Sequence, residues 1–292
     1  MGARSAGAAL PVLAVAAAIV AVWYAGAVWL NAPQLVDRYG REGQAWTASR
    51  LVADAWEMER PVLPAPHQVL AELRRTVVDV PPSSRRSLVY HGWVTLGSTL
   101  LGFALGTVLG CVLALGIVQV PTLDRSLMPW IVASQTIPIL AIAPMVIVVL
   151  GSIGVTGLLP KALISAYLSF FPVAIGMAKG LRSPDPLQLD LMRTYAATPA
   201  QTLLKLRLPA SLPFLFASLK VAAAISLTGA IVGELPTGAQ AGLGARLLSG
   251  SYYGQTVQIW AALIAASVLA AALVGLVALV ERLVVRHSGA PA

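Results

Sequence analysis

Residues 183–213 read SPDPLQLDLMRTYAATPAQTLLKLRLPASLP. This is the longest polar-bearing stretch in the second half of an otherwise apolar chain, and it carries Asp185, Asp190, Arg193, Lys205 and Arg207. Ser183 is placed to cap a short helix whose first turn takes Pro184 or Pro186, where a missing N–H costs nothing. Thr198 followed by Pro199 is a second cap-and-first-turn signal. Pro209 and Pro213 are expected to interrupt helical hydrogen bonding before the next apolar run. A helix-turn-helix between two membrane spans is a handle for something outside the membrane.

The rest of the composition agrees with a membrane setting. The 292 residues are 58% hydrophobic and 11% charged, against about 25% charged in a soluble domain. The formal net charge of +8 reads as topology and attraction to anionic lipid. No basic tract with interleaved aromatics points to nucleic acid. One cysteine, Cys111, lies in an apolar run, so no internal disulfide is possible.

Working outward from the loop, the sequence predicts an all-α membrane protein of six spans. Residues 1–30 hold the first, with an uncharged run at 8–30; a cleaved leader ending near Ala25-Gly26-Ala27 is the rival reading. Residues 31–90 form a polar extracytoplasmic loop with helical patterning at Gln44–Glu59 and His67–Val80, where Val69, Leu70, Leu73 and Val77 share a face. That helix lies on the membrane or bundle, or docks a solute-binding partner. Residues 91–284 hold five more helices: about 92–118, Leu127–Leu150 with Pro138 and Pro144 inside, Lys161–Met177, Phe214–Leu235 and Tyr252–Val280. A Gly-rich turn, Pro236–Gly250, precedes the last, and 285–292 form a tail. Gly102, Gly106 and Gly110 recur on one face of the second span, which marks close helix packing. Lys220 is expected near a helix end, where it can snorkel.

Arg4, Arg125, five Lys/Arg between Lys179 and Arg207, Arg282 and Arg286 fall on one side if there are six spans. Cytoplasmic loops carry the excess of Lys and Arg, so both termini and the 183–213 loop are expected in the cytoplasm.

There is no P-loop, HExxH, CxxC or GxSxG, so neither ATP hydrolysis nor these common catalytic chemistries is expected of this chain. His67, His91 and His287 are scattered, and no metal or cofactor is expected. Candidate pathway residues are Gln135, Thr136, Ser165, Ser169, Thr228 and Glu234, each of which is equally suited to hydrogen-bonding a neighbouring helix. Glu234 is either an interfacial anchor or helix-end partner, or an outer gate or contact to a solute-binding partner. An ion-coupled secondary transporter is one class kept open, though it wants buried carboxylate relays that are scarce here.

The 183–213 loop resembles the coupling loop of ABC importer permeases, Glu-Ala-Ala, three residues, Gly, then Leu-Pro. Aligned on Leu208-Pro209, Asp190-Leu191-Met192 stands over Glu-Ala-Ala and Ala196 over the Gly. Thr136–Pro144, Leu63-Pro64-Ala65-Pro66 with Val69 and Leu70, Phe170-Phe171-Pro172, Gly180-Leu181, Glu234-Leu235 and Gly242-Leu243-Gly244 are similar in order to the nitrate/sulfonate/taurine type. The resemblance covers about Pro61 onward. It implies the permease subunit of an ATP-driven importer of a small organic solute, working by alternating access. It further implies a cytoplasmic ATPase dimer, an extracytoplasmic solute-binding protein and a second permease copy as partners. It assigns the ATPase contact to Leu187, Asp190, Leu191, Arg193, Thr194 and Ala196, where space at Ala196 is expected to be tight. The context of Arg193-Thr194-Tyr195 resembles the branch importing pyrimidine-type thiamine precursors, with sulfonates second.

Overall fold

The computed structural model describes residues 3–236 and 241–288, with side chains over 11–236 and 241–284. Among them every regular element is helical: α1 (Ala3–Glu42), α2 (Ala48–Glu57), α3 (Pro66–Arg74), α4 (Leu88–Gln119), α5 (Pro121–Ser134), α6 (Ile139–Ser152), α7 (Leu158–Leu181), α8 (Pro186–Thr194), α9 (Pro199–Thr202), α10 (Leu208–Glu234), α11 (Leu243–Tyr252) and α12 (Thr256–Ser288). Five helices are long and apolar enough to cross a bilayer, and a sixth span results if the bent pair α5–α6 counts as one. The predicted all-α membrane architecture is what is observed.

The chain divides into two compact units, one running to Tyr90 and taking in Arg246–Ala265, the other His91–Ala245 and from Ala266 onward. In the first, α1 does not stop near residue 30 but continues through Pro33 to Glu42. The extension has a purpose within its own unit. Leu35 and Tyr39, one turn apart, bury themselves against Ala55 of α2. Asn31, fully buried, donates to the carbonyls of Ala55 and Leu63, 3.0 Å each, and accepts from the Val62 and Leu63 amides. The 31–60 segment is therefore stitched to the helix before it. The predicted apolar face of the next helix is split: Val69 is buried with Thr76, whereas Leu70 and Val77 are exposed.

In the second unit, α7 packs against both α4 and α10. A Cβ on Gly102 or Gly106 would sit 2.3 or 2.1 Å from the hydroxyls of Ser165 and Ser169, and one on Gly110 2.7 Å from the Phe170 carbonyl. Gly176, Gly180, Gly229 and Gly233 form the matching contact of α7 with α10. Lipid tails are as apolar as Leu, so close backbone approach rather than hydrophobic exclusion holds such helices together. Ile117, Ile131 and Phe170 add an apolar cluster that ties in α5.

The third span, read from the sequence with two prolines inside it, breaks at the first of them, just after Gln135 and Thr136. α5 and α6 meet at 97°. Pro138 cannot donate to the Ser134 carbonyl, and it disfavours helical backbone at Ile137. The Tyr167 hydroxyl of α7 donates to that Ser134 carbonyl instead, so the break is satisfied within protein, as hydrocarbon requires. Pro144 remains inside α6. The outcome at Pro209 is the reverse of the expectation. A wide turn at Leu203–Arg207, in which the Leu208 amide reaches back to Leu203, accommodates the proline, and Pro199–Glu234 runs as one span. Wider turns of this kind are one way that a helix absorbs a missing bond.

Three further expectations change. Lys220 lies mid-helix and pairs with Glu281 of α12 at 2.5 Å, since a charge at that depth wants a partner. Within the predicted Pro236–Gly250 turn, residues 237–240 lie outside the described ones, and α11 begins at Leu243. Of the predicted tail, α12 continues to Ser288, and 289–292 lie outside the described residues.

If the α4–α7 contact is steric, Gly106→Leu will cost roughly 3 kcal/mol or more by overpacking. Gly275→Leu, where a Cβ meets nothing within 4 Å, will melt near the parent. Thermal unfolding of the purified protein in detergent checks the pair; equal midpoints would mean that α4 and α7 part easily.

Candidate coupling surface

α8 begins one cap later than the sequence suggested. Asp185, not Ser183, is the N-cap: its Oδ1 accepts from the Leu187 amide at 2.8 Å, and Gln188 Oε1 accepts from the Asp185 amide at 3.1 Å. Pro186 then occupies the first helical position. Ser183 instead donates to the Gly180 carbonyl, closing the end of α7. Asp190 and Arg193, one turn apart, pair at 2.8 Å, and Thr194 Oγ1 donates to the Asp190 carbonyl.

No residue of α8 is buried. Leu187 is 77% exposed, Leu191 55% and the following Tyr195 77%. Leu187, Leu191 and Thr194 fall on one face. A surface apolar patch on a polar element rimmed by an ion pair marks an interaction site.

Ala196 ends the helix. Its amide bonds back to Arg193 O, and the Ala197 amide to Met192 O, the paired closure of a helix terminating in a left-handed residue. Ala196 has φ +50°, the only positive φ of a non-glycine among the described residues. The expected tightness at this position is thus a matter of backbone conformation: an L-residue there costs roughly 1–2 kcal/mol, which glycine avoids.

The hairpin is joined firmly to the bundle. Thr198 caps α9 as expected, accepting from the Gln201 amide, and α9 runs through the wide turn into α10. Leu203 and Leu208 pack on Ala114, Met177, Ala178 and Leu181. Arg182, just before the loop, pairs with Asp124 of α5 at 2.9 Å.

At the other end of α10, Glu234 is fully buried. Its carboxylate accepts from Thr95 Oγ1 at 3.0 Å and from the Gly244 amide at 2.8 Å. The Leu243 amide donates to Thr95 Oγ1, and the Gly242 amide to His91 Nδ1. Gly242 has φ +123°, and a Cβ there would meet the Glu234 carboxyl at 2.2 Å. Glu234 thereby binds the start of α11's segment to α4 and α10. A serine and threonine seam continues along the same helices: Ser165 Oγ to the Ser226 carbonyl at 2.8 Å, Ser226 Oγ to Thr99 O at 2.9 Å, and Thr99 Oγ1 to Thr95 O at 2.8 Å.

Residues 106–287 match the family described as binding-protein-dependent transport system inner membrane component. The chain belongs to this family. It is 35% identical over 174 residues to a probable ABC transporter permease protein of Haemophilus influenzae, covering 60% of this chain and 69% of that one. It is 32% identical to a formylaminopyrimidine transport permease protein of Halalkalibacterium halodurans, over 63% and 68% of the two chains. A putative aliphatic sulfonates transport permease protein of Bacillus subtilis is 25% identical over 86% and 91%.

The protein is accordingly the permease subunit of an ABC importer, a multi-pass inner-membrane component. ATP hydrolysis belongs to a separate subunit, and a solute-binding protein belongs to the system.

In this permease the six predicted pathway residues part into two groups. Ser165, Ser169 and Glu234 are fully buried at helix contacts, Ser169 reaching the Gly102 carbonyl. Gln135 and Thr136 are exposed at the α5–α6 bend, and Thr228 is exposed on α10. Sequence reasoning passed over His91, Thr95 and Thr99, the partners in the seam. Their spacing of four inside an apolar run was the available signal.

Gly242→Ala will drive a methyl into the Glu234 carboxyl and strain the backbone, lowering stability by roughly 2 kcal/mol or more. Thr95→Val will remove a hydroxyl that both donates and accepts there, costing about 1–3 kcal/mol. Thermal midpoints of the two variants check this, and parental midpoints in both would mean that the Glu234 cluster holds nothing together.

Proposed function

We propose that α8 is the cytoplasmic coupling helix through which the ATPase subunit drives this permease, with both chain termini on the same side. The observation that carries the reading is that α8 buries none of its own residues while presenting Leu187, Leu191 and Tyr195 outward. Thr194 shares that face, Asp190 and Arg193 border it, and Ala196 sets the turn that returns the chain to α9. The loop leaves α7 and enters α10 through capped, hydrogen-bonded junctions, so a push on α8 reaches two spans of the packed unit at once. Closure of an ATPase dimer would then switch the bundle by alternating access.

A second copy of the chain completes the assembly in this reading. Gln135, Thr136 and Thr228 are exposed in one copy, and a polar side chain facing lipid is costly; a shared aqueous pathway between two copies removes that cost. Ser165, Ser169 and Glu234 line the helix contacts behind it. Anionic lipid surrounds the dimer.

The solute is a small organic molecule. The formylaminopyrimidine permease relative favours a pyrimidine-type thiamine precursor, in line with the Arg193-Thr194-Tyr195 context. A sulfonate is the second reading, carried by the resemblance to the sulfonates permease over 86% of this chain.

Leu187→Asp with Leu191→Asp will put two charges on the proposed contact, each of which must be desolvated. The expected result is a permease at normal level in the membrane that retains less than about a tenth of its ATPase on purification, a loss near 1.4 kcal/mol or more, with uptake lost. Parental ATPase retention and uptake would remove α8 as the coupling element.

A further inference from the structure

The first unit contains a cavity of about 680 Å³ that coupling leaves unused. Its walls come from α3 and the wide turn after it, the segment before α4, α11 and the start of α12. Four guanidinium groups line it, Arg60, Arg75, Arg86 and Arg246, against two carboxylates, Glu59 and Glu72. Arg75 is already paired with Glu72 at 2.7 Å. Among the described residues no salt bridge holds Arg60, Arg86 or Arg246. Arg246 Nε is sealed from solvent and has no hydrogen-bond partner among the described residues. Burial pulls the Arg246 guanidinium below its ordinary pKa, Glu72 opposing this and Arg75 adding to it. A buried donor without an acceptor is destabilising, and a turn of the side chain toward an acceptor in the cavity relieves it.

We infer that this cavity binds a phosphate group carrying a hydroxylated organic body. Guanidinium forks match the paired oxygens of a tetrahedral oxyanion, and the lining leaves an excess of two positive charges. The volume exceeds that of a bare anion. Glu59 accepts hydrogen bonds but cannot donate them when ionised, so the organic part must bring hydroxyl donors. The site stands where spans begin: Arg86 is two residues before α4, and Gln258 of the lining is in the first turn of α12. In the same unit Trp23 packs on Trp260 at 4.8 Å and donates to the Pro64 carbonyl, an arrangement at home at headgroup depth. A phosphatidylglycerol headgroup and free glycerol phosphate share this chemistry.

The test uses the full-length permease in nanodiscs. Native mass spectrometry of discs holding equal phosphatidylglycerol and phosphatidylcholine reads the lipid source. Titration of phosphatidylcholine discs with glycerol 1-phosphate, followed by thermal shift, reads the soluble one. Retention of phosphatidylglycerol over phosphatidylcholine, or a saturable shift with glycerol 1-phosphate, is expected in the parent. Whichever is seen should weaken about tenfold in Arg246→Gln. Arg86→Gln, on an exposed residue, should weaken it as well and guards against misfolding of the first variant. Absence of both signals in the parent, or signals unchanged in Arg86→Gln and a folded Arg246→Gln, overturns the inference.

Discussion

The backbones of α4 and α10 approach α7 so closely that a single added carbon would collide at most points of contact, and the rest of this unit depends on that approach. Gly102, Gly106 and Gly110 on one side, and Gly176, Gly180, Gly229 and Gly233 within the other contact, leave room for serine hydroxyls and carbonyls to meet across helices. In a bilayer the alternative contact is lipid, which is no less apolar than a neighbouring helix. Shape and interhelical hydrogen bonds therefore decide which helices associate. The Ser165–Ser226–Thr99–Thr95–Glu234 seam follows the same surfaces and adds bonds that hydrocarbon cannot replace.

The three packed helices explain why both ends of α10 carry the informative geometry. One end grips the Gly242–Gly244 segment through Glu234 and Thr95. The other continues without interruption into the loop that carries α8. A helical rod from Pro199 to Glu234, about 54 Å long at 1.5 Å per residue, thus runs from a buried polar anchor to the turn that follows an exposed apolar patch. Pro209 lies within this rod and would ordinarily weaken it; the wide turn at Leu203–Arg207 keeps it continuous.

Much of this was legible in the sequence. Apolar run lengths gave the spans, and the Thr198-Pro199 pair gave the start of α9. The glycines of α4 marked its packing face because their spacing is local information. What was not legible depended on distant partners. A break beside Gln135 and Thr136 was legible from the prolines, but its 97° bend, satisfied by Tyr167 at Ser134, and the intact helix around Pro144 were not. Lys220 reads as a snorkelling lysine until Glu281 is brought beside it. Ser165, Ser169 and Glu234 read as pathway residues because polarity inside a span has two uses, and only burial shows that here they sit at helix contacts. Ala196, aligned with the family glycine, has a left-handed backbone, a feature that lies in a dihedral angle and not in the residue type.

The central claim is that the exposed face of α8 meets the ATPase subunit. A photo-crosslinking residue in place of Leu191, with the permease and its ATPase co-expressed in membranes, tests this most directly. The account predicts an ultraviolet-dependent adduct between the two subunits from position 191 and none from position 275, inside α12. An ATPase that co-purifies with the permease yet gives no adduct from 191 would contradict it.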